Sequence, residues 1–181
     1  MSGQVFTLIG VLVGAAGSYV VTALTERARW NRELATRWDQ HRLESYLRYA
    51  DAIKRFVSVA GRLAAEKGLF NLPQPVGEES GLEMLAQAEM DRGYAFESVL
   101  LMGDPETISA ARSMQRWAWV LEQFARGVRS GSAEDWTGAY GEFQEARDAF
   151  YISARKSLGV SAPFRLRAED PVIMGPDPRQ M

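Results

Sequence analysis

The sequence predicts an all-α protein: an N-terminal transmembrane helix followed by four antiparallel bundle helices. Three observations carry that expectation. Residues 5–24 run for twenty positions without a charge. From there to about residue 159, glycine and proline divide the chain into stretches whose apolar residues step by three and four, the helical period. No stretch alternates apolar and polar residues as a half-buried strand would.

Segment 1–24 reads as a membrane anchor. Twenty helical residues span about 30 Å, the thickness of bilayer hydrocarbon. A cleaved secretory signal fits less well. The leading Met-Ser-Gly-Gln has no basic residue, the apolar core is too long, and five arginines follow it. The length of the uncharged run also disfavours a buried helix of a soluble domain. Arg27, Arg29, Arg32, Arg37 and Arg42 lie just beyond the span, and the other flank carries only the free amino terminus. The positive-inside rule then places the protein in the cell membrane as a single-pass chain, N-terminus outside and bundle cytoplasmic. Arg27, Arg29, Trp30 and Arg32 are the expected interface residues. Arginine stems can lie along lipid while their guanidiniums reach headgroups, and Trp30 falls about 9 Å past the span.

Within the span, Gly10, Gly14, Ser18 and Thr22 recur every four residues on one face. Such a face lets two helix backbones approach, so the expected partners are membrane lipid and a second copy packed through this face. The blander reading is that glycine and alanine are simply common in membrane helices. No ionisable residue lies in the span, so the usual residues of a proton or ion pathway are missing.

Segment 25–42 is a basic juxtamembrane helix. It has no glycine or proline, so the anchor can run unbroken into the bundle. Trp30 and Trp38 are eight residues apart and fall near one face. They form a membrane or partner stripe, or Trp38 begins the packed core.

The bundle is expected over 43–159. Its first helix carries a seam of Leu43, Tyr46, Ala50, Ile53, Val57, Ala60 and Ala64, widened by Leu47, Phe56 and Leu63. Glu44, Arg48, Asp51 and Arg55 form its solvated side. Gly68 ends it, and the segment to Ser80 reads as a loop. A second helix over 82–102 has Leu82, Leu85, Ala88, Phe96, Val99 and Leu100 as core, with Gly93 available for a close crossing. Gly103-Asp104-Pro105-Glu106 predicts a tight reversal: glycine at C′, Asp as N-cap, Pro at N1, Glu in the first turn. The third helix shows Ala110, Met114, Trp117, Leu121, Phe124 and Val128. Ser132 and Asp135 resemble a capping box, opening a fourth helix whose core is Trp136, Ala139, Phe143, Ala146, Phe150 and Ala154. Similar lengths and mostly short connections predict an up-down-up-down arrangement. Segment 160–181 holds four of the seven prolines and reads as an irregular tail. Its Phe164, Leu166, Val172, Ile173 and Met174 can dock on a partner or fold back.

The chain has no cysteine and one histidine, His41. Disulfides, thiolate metal sites, cysteine nucleophiles and multi-histidine sites are therefore excluded. There is no P-loop, no dinucleotide fingerprint and no Gly-x-Ser-x-Gly. Glu78/Glu79 and Glu169/Asp170 fall in loop-like segments and make no signature. No catalytic residue, metal site or cofactor is expected, and a non-enzymatic protein is. The net charge of −2 disfavours nucleic acid as a partner. That near-neutral total is a cancellation: 1–67 sums to +4 and 68–181 to −6. The basic portion suits anionic cytoplasmic lipid at short range.

The run VFTLIGVLVGAAGSY, then ERARWNRELATRWDQHRLESYLRYADAIK, then helices with the Gly103-Asp104-Pro105 turn, resembles uncharacterised small single-pass membrane proteins of actinobacteria. The bias of eighteen Arg to three Lys fits a GC-rich genome. The likeness covers most of the chain before the tail. It implies a membrane-anchored helical protein and brings no activity or site residues with it. The expected role is a membrane-anchored interaction or scaffold protein with an unknown protein partner. Two alternatives stand beside it: a membrane-acting effector that oligomerises through its span, and a small-ligand sensor or enzyme using a bundle pocket.

Overall fold

The computed structural model describes residues 26, 30, 37–72 and 74–161. The chain divides into two units, Met1–His41 and Arg42–Met181. In the first unit Glu26, Trp30 and residues 37–41 are described, and all are helical and exposed. The expected span, and its continuity with the bundle, lie outside the described residues. Among the described residues no helix is long and apolar enough to cross a membrane.

The second unit is a helical bundle, with no strand among its described residues. Its helices are α1 (42–66 within this unit), α2 (Glu78–Met102), α3 (Pro105–Arg126) and α4 (Ala133–Ser157). The all-α expectation holds for this unit.

Local chemistry sets the helix ends. At the start of α3 the Asp104 carboxylate accepts from the backbone N–H groups of Glu106 at 2.9 Å and Thr107 at 3.0 Å. Those are two of the donors a helix start leaves without an intrahelical partner. Pro105 sits where no N–H is needed. Gly127 closes α3 in the left-handed conformation, φ 73°, which glycine adopts without steric cost. At α4 the Ser132 hydroxyl accepts from Asp135 N–H, and the Asp135 carboxylate accepts from Ser132 N–H at 2.7 Å, a reciprocal capping box.

Side-chain contacts give the helix directions. Arg42 at the start of α1 donates to the Met102 carbonyl (3.0 Å) and the Ser157 carbonyl (3.4 Å), at the ends of α2 and α4. The guanidinium thus meets two helix C-termini, where a cation is favoured. Lys156 near the end of α4 pairs with Glu106 at the start of α3, 2.7 Å. Arg126 at the end of α3 faces Glu89 in the first half of α2, 3.7 Å. Each sequential neighbour is therefore antiparallel, as is α4 against α1.

The core is aromatic at its centre. Tyr49 is fully buried; it meets Phe150 edge-on at 5.5 Å and Phe96 at 5.5 Å, and its hydroxyl donates to the Ala111 carbonyl at 3.0 Å. One residue thereby touches α2, α3 and α4. Burial pushes its phenol well above the ordinary value, and the nearby Arg92 charge pulls the other way. Tyr46 stands edge-on to Phe150 at 5.9 Å, and its hydroxyl shares a 3.0 Å hydrogen bond with Ser157.

Several expectations need correction. Leu43 and Leu47 are exposed, Leu47 at 60%, and Ala50 is half-buried. The buried face of α1 turns instead toward Tyr49 and Ala52, beside the expected Phe56. Val128 lies beyond the end of α3 and is exposed. α2 begins at Glu78, four residues before the apolar pattern starts, because two glutamates suit a helix N-terminus. Gly103 is not a left-handed cap; its φ is −77°. Glycine is needed there because a Cβ would sit 2.7 Å from the Val99 carbonyl oxygen. Gly93 makes no close crossing, since a Cβ there meets open space. Gly81 does the close packing: a Cβ would lie 2.9 Å from Leu63 Cδ1 and 3.0 Å from Val76 Cγ1. Trp38 does not begin a packed core; it is 56% exposed.

Candidate functional site

Of the residues expected at the membrane, Gly10, Gly14, Ser18, Thr22, Arg27, Arg29 and Arg32 lie outside the described residues. Trp30 is helical and 64% exposed. His41 is helical and exposed. Glu78 and Glu79 open α2, where Glu78 pairs with Lys67 at 3.2 Å. Among the described residues no three acidic, histidine or cysteine side chains group as a metal site.

Among the described residues a groove of about 470 Å³ lies between α1 and α4. Its volume falls in the range of small-molecule sites. α1 contributes Ala50, Ile53, Lys54, Val57, Ser58 and Gly61, and α4 contributes Trp136, Tyr140, Phe143, Arg147 and Tyr151. These positions step by three and four on each helix, so they form one flank of each. From Trp136 to Tyr151 the α4 wall runs about 22 Å. The α1–α2 connection closes one end with Phe70 and Leu72. Phe70 packs on Trp136 and on Tyr140, with ring centroids 5.8 Å apart in each case. The connection is tied to α1, since Arg62 donates to the Gln74 carbonyl at 3.1 Å and its own carbonyl accepts from Val76 N–H.

The groove is electrostatically one-sided. Its ionisable cations are Lys54 and Arg147, and it has no lining carboxylate. Arg147 donates one guanidinium nitrogen to Asp148 at 3.1 Å, while its Nε is buried with no hydrogen-bond partner. Trp136, fully buried, likewise leaves Nε1 without a partner. Buried donors without acceptors are uncommon in folded proteins. The two lining cations, rather than these covered nitrogens, are what favours an anionic ligand.

A smaller hollow of about 310 Å³ lies between α3 and the start of α4, with Arg129, Asp135 and Glu142 in its wall. Its charges are mixed. The Asp135 carboxylate is engaged by Ser132, whose backbone N–H and hydroxyl hold it below the ordinary carboxylate value. It therefore offers less selectivity than the α1–α4 groove.

The groove was not legible as a site in the sequence. It joins α1, a connection read as a loop, and α4, with lining residues up to 101 positions apart. The one available signal was the line Tyr140, Phe143, Arg147, Tyr151 along a flank of α4. Only Phe143 belonged to the expected core.

No protein-family model matches the chain, and neither a curated protein nor a solved structure matches it.

Proposed function

We propose that the chain is a membrane-anchored, non-enzymatic interaction protein whose helical bundle stands on the cytoplasmic side. The observation that carries this reading is the uncharged run 5–24 followed at once by five arginines. That pattern matches a bilayer span with its basic flank inside. A bundle with its own capped helices and aromatic core supports it, because such a unit can present a fixed surface to a partner. Self-association through Gly10, Gly14, Ser18 and Thr22 belongs to the same proposal. Mild solubilisation of the full chain from native membranes followed by affinity capture tests it. The expected result is a stoichiometric partner or a homo-oligomer, with the homo-oligomer weakened by Gly14→Leu. A strictly monomeric, partner-free protein contradicts it.

The α1–α4 groove favours a second reading, a small-ligand sensor. Its volume, aromatic wall and two lining cations are what such a site requires.

A further inference from the structure

We propose that the α1–α4 groove binds a small amphipathic carboxylate, a single anionic group on an aromatic or alicyclic body. The inference deepens the sensor reading and rests on it. The wall offers two kinds of surface. Phe70, Tyr140 and Phe143 supply ring faces and edges for a flat apolar body. Lys54 and Arg147 supply the only ionised groups in the lining, both positive. Two lining cations with no lining carboxylate favour anions.

The donor chemistry of the two lining cations sharpens the class. A carboxylate brings two acceptor oxygens, which suit both a guanidinium and an ammonium. Asp148, which holds one Arg147 nitrogen, is not itself part of the lining. A neutral body of the same shape would fill the apolar wall but leave the cations solvated by nothing better than water. A cationic ligand would meet two like charges.

Calorimetric titration of the full-length chain in amphipol with 2-naphthoate, and with its neutral isostere 2-naphthamide, tests the proposal. Lys54→Met retains the apolar stem of an exposed helical residue and removes its charge. The expected result is saturable one-to-one binding of 2-naphthoate, at least tenfold tighter than the amide. Lys54→Met should weaken the acid about tenfold and leave the amide unchanged. Equal binding of acid and amide, or an acid affinity untouched by Lys54→Met, overturns the ligand class while leaving a groove that binds small molecules. Absence of saturable binding by either overturns the sensor reading as well. If neither binds the native chain but both bind once Ile173→Asp and Met174→Asp are introduced, the groove belongs to the chain's own C-terminal segment and the proposal falls.

Discussion

Asp104 shows how one side chain joins a turn to the bundle's end. Its carboxylate takes the Glu106 and Thr107 N–H groups and the Thr107 hydroxyl, the last at 2.8 Å. Burial alone would raise its pKa, but these bonds and one from the Ser157 hydroxyl outweigh burial and leave it below the ordinary value. A depressed folded value means the stabilisation is complete above the unfolded value of 3.8 and fades as pH falls through the folded one. Asp104→Ala should therefore cost about 1–2 kcal/mol at pH 7, the usual loss of an N-cap. Thermal midpoints of the two proteins should converge as the pH falls below the depressed folded value of Asp104, where both lack the charged cap. A gap that persists in acid would contradict this assignment. Arg92 poses the opposite case. It is 4% exposed, lies 4.9 Å above the Phe56 ring, and leaves Nε and Nη1 without hydrogen bonds. Pattern reading could not find it, because that reading takes apolar residues as the buried ones. Arg92 occupies a core position by virtue of its stem and a cation–π contact.

At the scale of elements, glycine positions separate helices that pack closely from those that do not. Gly93 lies inside α2 with open space at its Cβ direction, so Gly93→Ala should stabilise by about 1 kcal/mol through helix propensity. A Cβ on Gly81 would come within 2.9 Å of the fully buried Leu63, so Gly81→Ala should lower stability despite the same propensity gain. Opposite shifts in thermal midpoint are expected; shifts of the same sign would contradict the α1–α2 packing. The elements themselves were largely legible. All six core positions expected on α4, from Trp136 to Ala154, are buried, and both capping motifs form. A helix with one buried stripe advertises its phase. α1 was harder, because it meets all three other helices and its sequence is apolar over a wide arc. The seam read through Ala50 passed over Tyr49, the residue at the centre of the core. Leu43 and Leu47 belong to the same flank as Ala50 and Lys54, stepping four, three and four, and extend the groove's α1 wall as exposed apolar surface. Phe70 was hidden for another reason: the connection's two prolines and polar end obscured an apolar plug at its start.

For the whole molecule, the sequence and the bundle point to a division of labour. An uncharged run and a basic flank suit attachment to a bilayer, and an acidic, well-capped helical unit suits recognition. The groove between α1 and α4 gives that unit a place where recognition can occur. Attachment and orientation are the central claim, and the absence of native cysteine makes them directly testable. Single cysteines introduced as Ser2→Cys and, in the exposed α3–α4 connection, Ser130→Cys can be labelled with a membrane-impermeant maleimide in intact cells. The account predicts that position 2 labels from outside, and that position 130 labels only after permeabilisation. Labelling of position 130 in intact cells, or release of the chain from membranes by alkaline carbonate, would contradict it.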